Sequence, residues 1–214
     1  MKAVCISKEV NSSITVGKSY VIFAGKCRMN ADNNREIMNI CIQDDSGSIG
    51  FYDSSNFNIL IQTFNKYSFT SKDQCDFMFD NISYDGFWSM FYNDSQERIN
   101  DYIRAKKDFI QAKLCLYQEY SLDELRLNIM TDNMDERDFI FDFLKKERNT
   151  NFIQFAIQLI KQGMENGVKY YEVEEIFKYL ASFKNKMVEN FFLELIVEDV
   201  WENEKLNEII YNYL

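Results

Sequence analysis

The chain has 214 residues, a net charge of −10, and neither histidine nor proline. The missing histidine removes the commonest general base, the commonest metal ligand and every Ser-His or Cys-His nucleophile. Hydrophobic residues at 46% and aromatics at 16% supply a core, 27% charged residues fit a folded chain, and so negative a surface repels phosphates and anionic membranes while steering basic partners.

Residues 1 to about 64 read as short strands. Ala3 to Ser7 is the first. Ser19 to Arg28 follows the Val16-Gly17-Lys18 turn, and Ile37 to Gln43 alternates in polarity. Asp44-Asp45-Ser46-Gly47 predicts a hairpin turn, because Asp and Gly tolerate positive φ. Ile49 to Tyr52 is the return strand, and Asn58 to Gln62 closes the set after a Ser54-Ser55-Asn56 turn. Turn signals this regular predict a small β-barrel.

The segments Ile14-Thr15-Val16-Gly17-Lys18-Ser19-Tyr20, Ile42-Gln43-Asp44-Asp45-Ser46-Gly47 and Gly50-Phe51-Tyr52, followed by Phe57, resemble bacterial SH3-like barrel modules. The likeness covers the first third of the chain. It implies a barrel fold and no chemistry, since such modules bind peptides, nucleic acid or nothing. Phe51 stands where many of them carry Trp.

Residues 65 to 93 hold a dense aromatic run, Phe77 to Phe79 and Phe87 to Tyr92, broken by Asp80, Asn81, Asp85 and Gly86. A strand or hairpin followed by a short sealing helix is expected. From Asp94 the pattern turns helical. Asp94-x-x-Glu97 and Ser121-x-x-Glu124 have the form of capping boxes. Apolar residues then recur at spacings of three and four: Ile99 to Tyr117, Leu122 to Ile129, Phe139 to Leu144, Phe152 to Met164, Val173 to Leu180, Val188 to Ile196 and Leu206 to Tyr213. Gly163 and Gly167 are expected to end the fourth of these helices. Short helices joined by polar turns form antiparallel hairpins, either stacked in HEAT fashion or bundled irregularly. The predicted fold is α+β: an SH3-like β-barrel with its aromatic closing segment over residues 1–93, packed on an α-helical bundle over residues 94–214.

Cys5, Cys27, Cys41, Cys75 and Cys115 are odd in number and widely spaced. That argues against a disulfide framework and a zinc site, and for reduced thiols in a cytoplasmic protein. The opening segment is too polar after Ile6 for a signal peptide, and no apolar run reaches membrane-spanning length. Asp44 and Asp45 are adjacent at a strand end and point apart, so they are read as turn residues and not as a metal pair. Asp132, Asp135 and Glu136 lack the ligand alternation of a calcium loop and are read as a helix start. No phosphate loop is present, and the basic clusters at Lys106-Lys107 and Lys145-Lys146 lack the interleaved aromatics of a nucleic-acid platform. No cofactor and no metal are expected.

The sharpest surface feature is an acidic ridge. Glu194, Glu198 and Glu202 lie at i, i+4 and i+8 with Asp199 beside them, and residues 165–214 carry eleven acidic against five basic side chains. With Glu174 and the aromatics Tyr170, Tyr171 and Trp201, this ridge is the predicted partner-binding surface. The function expected is that of a non-catalytic binding protein, an immunity or inhibitor protein that neutralises a basic, nucleic-acid-targeting toxin or nuclease domain. Two other readings fit the same features. One is an adaptor that takes peptides on the barrel aromatics Phe51 and Tyr52. The other is a phage-encoded acidic mimic of DNA. Catalysis through carboxylates, Tyr or Lys alone is a further possibility.

Overall fold

A computed structural model describes the chain except residues 9–12, 61–63, 71–74, 94–98, 168–172 and 199–202, and the side chains of residues 64, 99, 101–103, 106 and 198. The fold is α+β. Strands come first: β1 (Lys2–Cys5), β2 (Ser19–Val21), β3 (Ala24–Met29), β4 (Arg35–Gln43), β5 (Ile49–Asp53), β6 (Phe57–Leu60), β7 (Tyr67–Phe69) and β8 (Phe77–Phe79). Helices follow: α1 (Phe87–Tyr92), α2 (Ile99–Tyr117), α3 (Leu122–Ile129), α4 (Met134–Lys146), α5 (Ile153–Glu165), α6 (Glu174–Ala181), α7 (Lys186–Glu198) and α8 (Glu204–Tyr213). The chain divides into two compact units, Met1–Glu136 and Arg137–Leu214. Residues 93 and 94, the boundary expected from sequence, both fall in the first.

Two antiparallel sheets form the strand region, ordered β2-β1-β6 and β5-β4-β3-β8-β7, and among the described residues they do not close into a barrel. The single strand expected over Ser19–Arg28 is two strands in different sheets. The switch falls at Ile22-Phe23, both fully buried. The Ile22 amide donates to Met1 O, whereas the Phe23 amide donates to Cys41 O and Phe23 O accepts from the Phe79 amide. The two amides thus find partners on different sides of the corner, while Ile22 O accepts from the Tyr67 hydroxyl of β7, so neither buried amide is left open.

Close packing fixes the larger sheet. A Cβ on Gly25 would fall 2.2 Å from the Phe77 ring, so only glycine lets β3 pass under it. The Phe23 and Phe109 rings lie 4.7 Å apart and those of Phe91 and Phe109 4.6 Å apart, which brings β3, α1 and α2 into one core. The expected hairpin and sealing helix are β7, β8 and α1. Gly47, with φ of +85°, makes the β4–β5 turn, and Ser121 and Glu124 form the expected capping box on α3. The box expected at Asp94 lies outside the described residues.

In the second unit α5 packs against α6 and α7, and α6 against α8. Phe177 and Phe192 stack at 5.7 Å, and Phe192 meets Tyr213 edge-on at 5.1 Å. Gly163 lies inside α5, not at its end. Gly167 takes the left-handed conformation that follows a helix terminus.

Candidate functional site

The predicted acidic ridge is described in part. Glu194 sits on α7, and Lys161 on α5 reaches its two carboxylate oxygens at 2.7 and 2.8 Å. Glu174, the first residue of α6, pairs with Lys178 at 2.8 Å and lies at 4.0 Å from Lys205. The Lys178 bond holds the Glu174 carboxyl below its ordinary range. Glu198 ends α7 but its side chain is not described. Asp199, Trp201, Glu202, Tyr170 and Tyr171 lie outside the described residues. Beside Glu194 on α7 stand two exposed apolar residues, Leu193 and Val197, the latter 84% exposed.

A second constellation, in the first unit, centres on Lys18. This residue closes the turn before β2, yet its side chain is 1% exposed. Its ammonium donates to Asp45 Oδ1 at 2.7 Å, to Glu136 Oε2 at 2.9 Å and to Thr131 Oγ1 at 3.3 Å. Glu136, in the first turn of α4, accepts a 2.7 Å bond from the Tyr117 hydroxyl through Oε1, and its backbone amide is capped by Asn133 Oδ1. Burial first, then the Glu136 charge and bond, push the Tyr117 phenol well above its ordinary range. Lys113 of α2, also fully buried, donates to Gln43 Oε1. Burial lowers its ammonium to about 8, against the opposing pull of Glu136. Gln43 in turn donates to Gly47 O at 2.9 Å. One network of charge therefore ties the β4–β5 turn to α2, α3 and the start of α4.

Asp44 and Asp45 face different donors. Asp44 accepts from the Ser46 and Ser48 amides, from Ser46 Oγ and from the Tyr52 hydroxyl at 2.6 Å. Asp45 accepts from Lys18, from the Tyr20 hydroxyl at 3.0 Å and from Thr15 Oγ1 at 2.6 Å. The first carboxylate builds the turn and the second binds it to β2. Of the two adaptor aromatics, Tyr52 is tied to Asp44, while Phe51 is half-exposed with the Lys26 ammonium 5.2 Å from its ring centre.

Above the Asp45 carboxylate lies a solvent-open groove of about 440 Å³ between the segment before β2, the β4–β5 turn and the end of α3. Its walls include Thr15, Asp45, Leu127, Met130, Thr131 and Asp132. The inner face of α3 buries Leu125 and Ile129, whereas Leu122, Leu127 and Met130 are 38%, 48% and 68% exposed. Among the described residues no cluster of three or more Cys, Asp or Glu side chains is placed to hold a metal ion. No described helix is long and apolar enough to cross a membrane.

Sequence reasoning singled out neither Lys18 nor Lys113 nor the groove. Lys18 gave no signal, because its buried partner Glu136 lies 118 positions away. Lys113 did give one: it interrupts the stripe of Phe109, Leu116 and Tyr117 at helical spacing. For α3 the signal was apolar residues on both faces of one short helix. No family model, curated protein or solved structure matches the chain.

Proposed function

We propose that this chain is a non-catalytic binding protein that engages a basic protein partner, an immunity or inhibitor protein acting on a nucleic-acid-targeting toxin. One observation carries the reading. The ionisable groups that come together inside the first unit, Lys18, Lys113, Glu136 and Tyr117, are all but fully buried and bonded to other protein groups. Buried, partnered charges of this kind hold elements in register and do not meet a substrate. What the protein offers outward is carboxylate interspersed with exposed leucine and methionine, on a molecule of net charge −10. Such a surface speeds encounter with a cationic partner in a salt-dependent way.

The SH3-like reading of the strands belongs to the same proposal. The corner at Ile22-Phe23 passes the chain between two sheets, as the bent strands of small barrels do. The test is co-expression with the polypeptide encoded by the neighbouring reading frame. Relief of its growth arrest, together with a complex weakened by salt, is the expected result. Turnover of a small substrate by the purified chain overturns the reading.

A further inference from the structure

We infer that the groove between α3 and the β4–β5 turn docks a lysine or arginine side chain presented on an apolar segment of a protein partner. The inference rests on the binding reading above and names the surface and chemistry of that contact.

The groove joins two kinds of wall. Leu127 and Met130 supply an apolar side left open to solvent. A short helix that already buries Leu125 and Ile129 gains nothing for its own core by exposing two further large apolar residues. Methionine at such a position adapts its shape to an incoming side chain. Asp45 and Asp132 supply the polar side. Among the described residues Asp132 has no ion-pair partner within 4.0 Å, and it is exposed. Asp45 is held by Lys18 and Tyr20 on Oδ1 and by Thr15 on Oδ2. A carboxylate fixed this way loses little freedom when it accepts one more donor at Oδ2.

Charge complementarity selects the occupant. Among the described residues the groove's walls contain two carboxylates and no lysine or arginine. An anionic ligand is repelled, and so is a second copy carrying the same charge of −10. A lysine or arginine has the matching composition: its aliphatic stem lies along Met130 and Leu127 while its head meets Asp132.

The experiment titrates the full chain, labelled at its methionine methyl groups, with a short alternating leucine–lysine peptide followed by NMR. A leucine–glutamate peptide of the same length and oligolysine serve as controls. The Met130 methyl resonance is expected to shift with the leucine–lysine peptide and far less with either control. Asp132→Lys and Met130→Ala are expected to weaken binding at least about tenfold each, the size of a modest hot spot. Glu147→Lys, at an exposed position of the other unit, is expected to change affinity by less than about twofold, as a single distant surface charge does. Both groove side chains are exposed, so thermal melting confirms that the variants fold. An unmoved Met130 resonance, undiminished binding by Asp132→Lys, loss of binding in Glu147→Lys, or dimerisation in place of peptide binding each overturns the groove. Those results leave the binding reading standing, because that reading is decided with the neighbour-encoded polypeptide and not with the peptide.

Discussion

Replacing Lys18 by methionine tests the buried network most sharply. The substitution keeps the stem and deletes an ammonium that lies 2.7 Å from Asp45 and 2.9 Å from Glu136. The two carboxylates respond differently. Asp45 is 16% exposed and recovers water, whereas Glu136 is 3% exposed and among the described residues keeps the Tyr117 hydroxyl as its one side-chain donor. Removing one member of a buried pair costs about 3–5 kcal/mol, since the survivor is left charged and dry. Adding Glu136→Gln removes that stranded charge but keeps an acceptor for Tyr117. The double variant is therefore expected within about 1 kcal/mol of wild type, with a coupling energy of about 2–3 kcal/mol. Urea unfolding is read by Trp88 fluorescence in a Trp201→Phe background, which confines the signal to the first unit. A loss below about 1 kcal/mol in Lys18→Met, or additive losses in the double variant, would refute the assignment of Lys18 as the buried counter-charge of Glu136.

Three further outcomes follow from the same region. Asn128 is fully buried on α3 and neither of its amide atoms has a hydrogen-bond partner among the described residues, so Asn128→Leu is expected to stabilise by about 1–3 kcal/mol in urea unfolding; destabilisation would show that the amide is satisfied. Burial lowers Lys113 from 10.5 to about 8, so between those values the unfolded chain binds more protons than the folded one and stability rises with pH. Relative to Lys113→Met, wild type should therefore gain up to about 3 kcal/mol across that window, and a constant difference in unfolding free energy would contradict this. Burial opposes ionisation of Glu124, but bonds from Lys2, Ser121 and Ser19 outweigh it and hold the carboxyl below its ordinary 4.5. Its stabilising effect is thus complete above that value and lost as pH falls through the lowered one; Glu124→Gln should flatten the acid limb of the stability profile, and an unchanged limb would exclude the assignment.

Local chemistry was legible in the sequence. The Asp44–Gly47 turn and the Ser121 capping box depend on neighbours within a few positions, and both are present as read. The split of Ser19–Arg28 was not legible, because it is decided by where Met1, Cys41 and Phe79 offer backbone partners. In the sequence Lys18 is a residue of the Val16-Gly17-Lys18 turn, with no neighbour that marks it as buried. Only the fold brings Asp45, 27 positions on, and Glu136, 118 positions on, to it, and these two carboxylates are what make burial of that ammonium tolerable. The acidic ridge was read from spacing alone, which gives a helix face but not its neighbours. Lys161 on α5 neutralises Glu194 there. At α3 the signal was present: Leu127, two positions from both Leu125 and Ile129, lies off the face that they share with Leu122, so an apolar residue of the helix was left to face solvent.

Calorimetric titration of the purified chain with the polypeptide of the adjacent reading frame, repeated from low to high salt, decides whether this protein works by offering a negative surface. A stoichiometric complex whose affinity falls steadily as salt rises is what the account predicts. Heat from conversion of a small molecule, or a complex indifferent to salt, would contradict it.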